Sequence, residues 1–190
     1  MGIKSIASKI SLARASSNTI LRPLSLPLDI QDKSLLVLLP SIQRDLMIVK
    51  QVLPEIQAYF GDRNVFLLAS PDTNVLSIFP SKGFNILSPG KSDTNWCDLP
   101  SSSFIEKLRS YNFDYIFDTN LEENRYAAKI LLGFPQAIRF GANGRLGLPY
   151  LNLEVKTKYL RDRRLIYHSI LEVVANLTKT PKPISKVSKE

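Results

Sequence analysis

Residues 35–39 read Leu-Leu-Val-Leu-Leu and are closed by Pro40. Five apolar side chains in succession leave a strand without a wet face, so both its faces must be covered. Helices packed on either side of a parallel sheet supply that cover. Further short apolar runs lie at 65–69, 84–87, 115–117 and 137–140, with a sixth candidate at 151–155. The segments between them have helical periodicity. Residues 44–60 set Leu46, Ile48, Val49, Val52, Leu53, Ile56 and Phe60 at helical spacing, with Pro54 as a kink point and Gly61-Asp62 as the stop. Helices are also predicted over 72–79, from a cap at Ser101, Ser102 or Ser103 to Tyr111, over 121–132 ending at Gly133, and over 160–177. Gly141, Gly144 and Gly147 mark a loop. Strands alternating with helices at this spacing predict an α/β sandwich around a mostly parallel sheet. Ligands meet such sheets at the carboxyl ends of the strands, which directs attention to loops 40–45, 69–73, 88–93 and 118–124.

The charge sits at the ends of the chain. Residues 1–28 hold Lys4, Lys9, Arg14 and Arg22 and no acid, and residues 179–190 hold four lysines against Glu190. The stretch between is nearly balanced. The chain therefore divides into a basic N-terminal extension and linker over 1–30, a folded domain over 31–178, and a Lys/Pro tail over 179–190. Within the extension, residues 3–13 form a predicted helix with Ile3, Ile6 and Ile10 on one face. Such a helix lies in a membrane interface, docks on a partner, or belongs to a transit-like segment. The basic ends suit an anionic membrane surface or a protein partner in a larger complex, or serve only as solvated tails. Nucleic acid is not an expected partner, because no aromatic-basic platform or reading helix accompanies the charge. No run approaches a membrane-spanning length and no export signal is evident, so the expected location is the cytoplasm, with the inner membrane face as the peripheral alternative. Cys97 and His168 are single residues of their kind, which excludes an internal disulfide and gives no metal-ligand spacing. No phosphate-cradling glycine motif follows the first strand, and no cofactor is expected.

Three ordered stretches carry a resemblance. The first is 35–46, Leu-Leu-Val-Leu-Leu-Pro-Ser-Ile-Gln-Arg-Asp-Leu. The second is 113–141, which runs from Phe-Asp-Tyr-Ile-Phe-Asp-Thr-Asn through Leu-Leu-Gly-Phe-Pro to Ala-Ile-Arg-Phe-Gly. The third is 151–177, a short strand, a basic segment and a helix containing His168. Together they resemble the N-terminal domain of glycosyltransferase family 9, which includes the ADP-heptose:lipopolysaccharide heptosyltransferases. The resemblance implies a Rossmann-like domain forming a single, acceptor-side half of a GT-B architecture, with the donor-binding half outside this chain. Asp45 then matches the family's general-base aspartate. The family has a glycine just before that aspartate, where this chain has Gln43-Arg44.

Each candidate has a structural alternative. Asp45 is a base, or an acid placed favourably in a helix's first turn. Ser41, Asp118, Thr119 and Asn120 bind acceptor hydroxyls, or Thr119 or Asn120 caps the following helix with Glu122 and Glu123 in its first turn. Lys156, Lys158, Arg161, Arg163 and Arg164 meet an anion or partner, or form a solvated face. The altered Gln43-Arg44-Asp45 loop and the absent donor half favour a non-catalytic binding or structural subunit. The alternative is a glycosyltransferase component of envelope polysaccharide synthesis that works with a separate donor-binding subunit.

Overall fold

A computed structural model describes residues 2–71, 75, 78, 79, 84–142, 150–159 and 161–178. Its strands are β1 (Leu35–Leu38), β2 (Val65–Leu68), β3 (Asn85–Leu87), β4 (Tyr115–Asp118), β5 (Ile138–Ala142) and β6 (Leu153–Val155). Its helices are α1 (Ile3–Ser17), α2 (Gln43–Phe60), α3 (Ser102–Arg109), α4 (Arg125–Gly133) and α5 (Arg163–Asn176). The strands form one sheet in the order β3-β2-β1-β4-β5-β6, and every pairing is parallel. The fold is therefore the expected α/β, Rossmann-like class. The apolar run at 35–38 takes the interior place its composition demands, between β2 and β4.

Period-two alternation assigns each strand residue to a layer. Leu35, Val37, Tyr115, Phe117, Ile138 and Phe140 share a core with Leu46, Val49, Leu53 and Ile56 of α2 and with Ile166, Tyr167, Ile170 and Val174 of α5. Leu36, Leu38 and Ile116 face the other way, onto Phe104 and Leu108 of α3 and Ile130 and Leu131 of α4. A third, smaller cluster lies outside α4, where Leu12 of α1 meets Cys97, Leu99, Ala128 and Leu132. Leu28 and Ile30 are buried in the first core, and Leu28 N–H donates to the Leu177 carbonyl at 2.6 Å.

The expected helix boundaries are met at some ends and shift at others. α2 runs through Pro54 without ending, and stops where Gly61 takes a φ of 81°. Of the three candidate caps for α3, Ser101 is used, its Oγ accepting from Phe104 N–H at 3.2 Å. α4 starts at Arg125 and not near residue 121, because Asn124 caps it by accepting from Ala127 N–H at 3.1 Å. Neither Thr119 nor Asn120 plays that part. In α5, Leu165 is exposed, while Tyr167 and Leu171 point inward. Most of the segment expected to form a helix over 72–79 lies outside the described residues, as do Gly144, Gly147, Leu160 and the tail 179–190.

Gly141, expected in a loop, belongs to β5 and stands opposite Asp118 of β4. A Cβ at this position would fall 2.9 Å from the Asp118 carbonyl oxygen, a backbone atom held in the sheet. Gly141→Ala is expected to cost about 2 kcal/mol through forced displacement of the β4–β5 pairing. Urea denaturation checks this, and a loss within error of zero would show that the two strands approach less closely.

Candidate functional site

The strand order reverses direction between β1 and β4. From there, α2 covers one face of the sheet and α4 the other, so the loops leaving β1 and β4 diverge and open a crevice. A cleft of about 360 Å³ lies at this point. Ser41, Asp45, Ser70, Asn120, Asn124 and Arg125 line it, with Glu122 and Glu123 also contributing. The structure thus brings Ser41, Asp45 and Asn120 together across 79 positions of sequence.

The polar groups beneath the cleft are engaged with one another. Asp118 Oδ1 accepts from Asn120 N–H at 3.0 Å and from Asn120 Nδ2 at 2.7 Å. Asn120 Oδ1 accepts from Asn124 Nδ2 at 2.8 Å, and Asn124 in turn caps α4. Thr119 turns away from the cleft. Its Oγ1 donates to the Leu38 carbonyl at 2.6 Å, and its own carbonyl accepts from Tyr167 Oη at 2.8 Å. It fastens β4 to β1 and α5.

Asp118 is buried, and burial pushes its carboxyl up from an ordinary 3.8 to about 6, against the opposing effect of the Asn120 bonds. The folded value lies above the unfolded one. Between about pH 4 and 6 the folded chain therefore holds a proton that the unfolded chain has released. Stability falls as pH rises through that window, and the whole cost is present at neutral pH. Asparagine carries no charge to desolvate, and its Oδ1 accepts the same two bonds. Asp118→Asn is expected to raise stability at pH 7 by on the order of 2 kcal/mol and to change little at pH 4. Chemical denaturation at both pH values checks this, and an equal effect at the two would remove the carboxylate as its cause.

Asp45 is the third residue of α2, where the helix dipole favours an acid, and it is only 1% exposed. Its Oδ2 is ion-paired with Arg163 Nη1 at the start of α5. Arg163 Nη2 also reaches Glu122 Oε1 at 2.9 Å. Asp45 Oδ1 has no hydrogen-bond partner, with Arg44 Nε 3.6 Å away. A second contact between the same helices joins His168 Nδ1 and Glu55 Oε2 at 2.6 Å.

The basic run expected to act together divides. Arg161, Arg163 and Arg164 line a groove of about 450 Å³ with Arg44 and Ile48 of α2. Asp162 at its base caps α5, accepting from the N–H groups of Arg164 and Leu165. Lys156 and Lys158 are exposed outside that lining, and Lys158 Nζ sits 5.4 Å from the centroid of the Tyr159 ring. The cleft, unlike the groove, occupies the reversal in strand order where sheets of this kind take ligands. Sequence reasoning missed Asn124, Arg125 and Arg44 as members of these sites. Asn124 directly before an amphipathic segment was the one legible signal. Among the described residues, no group of three or more His, Cys, Asp or Glu side chains is placed to hold a metal ion.

Six parallel strands in this order, covered on both faces and cleft at the reversal, define an α/β unit of the Rossmann-like class. Among solved structures, the chain is similar to the E. coli heptosyltransferase WaaC with ADP, at a TM-score of 0.55 and 12% identity. The match covers 80% of this chain and 49% of that one, so the chain spans about half the length of that protein. At this identity the likeness is one of fold. No protein-family model matches the chain, and no curated protein matches it in sequence.

Proposed function

We propose that this chain is a non-catalytic binding or structural subunit built on the acceptor-side fold of a heptosyltransferase-like enzyme, held to a larger assembly or membrane surface by its basic ends. The observation that supports it most is the state of Asp45. A general base must come within hydrogen-bond reach of the hydroxyl it deprotonates. Here the only carboxylate at the matching position is buried, and one of its oxygens is taken by Arg163. The bulky Gln43-Arg44 pair stands where a glycine would let a ligand approach.

The second reading, a transferase component completed by a separate donor-binding subunit, draws on the polar cleft shared by Ser41, Asp45 and Asn120. The two readings separate in a transfer assay with labelled nucleotide-diphosphate sugars, using purified chain alone and with cell extract. The expected result is no transfer attributable to the chain, with wild type and Asp45→Asn indistinguishable. Transfer that appears with wild type and vanishes in Asp45→Asn establishes the enzymatic reading instead.

A further inference from the structure

α1 is fixed to the domain by one side and bare on the other. On its inner side, Leu12 is buried, and Arg125 Nη1 donates to Ser5 Oγ at 2.9 Å and Ser8 Oγ at 3.0 Å. Lys4 Nζ reaches Asp98 Oδ1 at 3.2 Å. At helical spacing, Ile3, Ile6 and Ile10 project from the side opposite Ser8 and Leu12. They are 81%, 49% and 49% exposed. Lys9 and Arg14 flank this stripe, one on each side, and no acidic residue precedes Asp29.

The loop that receives Lys4 adds a second observation. It carries Trp96, the chain's single tryptophan, 65% exposed. The loop is braced from within: Asn95 Oδ1 accepts from the N–H groups of Cys97 and Leu99, and Cys97 packs in the cluster containing Leu12. Trp96 is thus exposed on a braced loop that is joined to α1 through Lys4–Asp98 and through the packing of Cys97 with Leu12.

An apolar stripe bordered by cations on a helix without acids, with an exposed tryptophan two residues from the Asp98 that Lys4 reaches, matches the interfacial zone of a bilayer in chemistry. The isoleucines enter the acyl boundary, the indole sits among headgroups, and the cations meet anionic lipid. We propose that the outer face of α1, together with Trp96, docks on an anionic phospholipid bilayer. This specifies the membrane anchoring in the function proposed above and rests on that reading. Because Arg125 both lines the cleft and grips the first turns of α1, docking would hold the cleft at a fixed disposition to the lipid surface.

The test uses the full chain with vesicles of phosphatidylcholine alone or mixed with phosphatidylglycerol. Co-sedimentation is expected only with the mixed vesicles, with a blue shift of Trp96 emission. Ile6→Glu/Ile10→Glu changes exposed positions, so the thermal melt should not move, while vesicle affinity falls by at least about tenfold and the blue shift disappears. Four results overturn the proposal: equal binding by this variant, binding lost only on deleting residues 179–190, an unmoved Trp96 spectrum, or self-association through α1 without vesicle binding. Sugar transfer by the chain would overturn the non-catalytic reading and leave the vesicle result standing. Failure on vesicles would overturn the docking surface alone.

Discussion

Arg163→Met is expected to destabilise the fold by about 3 kcal/mol at neutral pH. The substitution keeps most of the apolar stem and removes the charge that faces Asp45. Asp45 is then left buried without its guanidinium partner, with Arg44 3.6 Å away and itself two-thirds exposed, too distant and too solvated to replace the lost bond. Arg163 is 22% exposed, which keeps the cost below the top of the range for fully buried pairs. Loss of the Glu122 contact adds little, since that carboxylate is largely exposed. The companion variant is Asp45→Leu/Arg163→Met. Replacing both charges with apolar side chains leaves no orphan, so the double variant is expected to recover most of the lost stability. Denaturant midpoints for wild type, both single variants and the double variant complete the cycle. A double variant as unstable as Arg163→Met would mean that the residue's packing, and not its charge, holds α5 to α2.

Phe117→Ala is expected to have the larger effect, a loss of about 4 kcal/mol. Phe117 is fully buried in β4, in the middle of the sheet. Its ring stacks on Phe140 with centroids 4.7 Å apart and meets Tyr167 edge-on at 6.5 Å. Truncation removes the transfer energy of the ring and leaves a cavity between β5 and α5 that these neighbours cannot close. For a chain of this size the melting temperature should fall by roughly 10 °C. Phe117→Leu retains most of the volume and should cost about 1 kcal/mol. Calorimetry on both variants checks the pair. A loss below that of the leucine variant would place the ring outside the core.

Much of the scaffold was legible because burial leaves a local trace. The run at 35–39 demanded a strand covered on both faces, and it lies inside the sheet. The stop at Gly61 and a serine cap for α3 were readable for the same reason, since each satisfies backbone groups within a few residues. The start of α4 was misplaced where local rules met a distant demand. Asn120 has the chemistry of a cap, but its Oδ1 accepts from Asn124 Nδ2 while its N–H groups donate to the buried Asp118, and Asn124 caps in its stead. The site residues were half legible. Strand ends pointed to Ser41, Asp45 and Asn120, but nothing near Asp45 in sequence announces a guanidinium 118 residues away.

The sequence by itself determined the elements and which of their faces are apolar, because periodicity and turn chemistry act over a few residues. Tertiary structure alone decided the strand order, the pairing of Asp45 with Arg163, and the side on which α1 is bound. The isoleucine stripe is the more apolar face of that helix, yet α1 packs through Ser5, Ser8 and Leu12. Its small hydroxyl residues meet Arg125 at hydrogen-bonding distance, and Leu12 fills the space beside Ala128 and Leu132. Hydrophobicity ranks the faces of a helix. Which face is used depends on the shape and charge of the surface that receives it, and that surface exists only once the rest of the chain has folded.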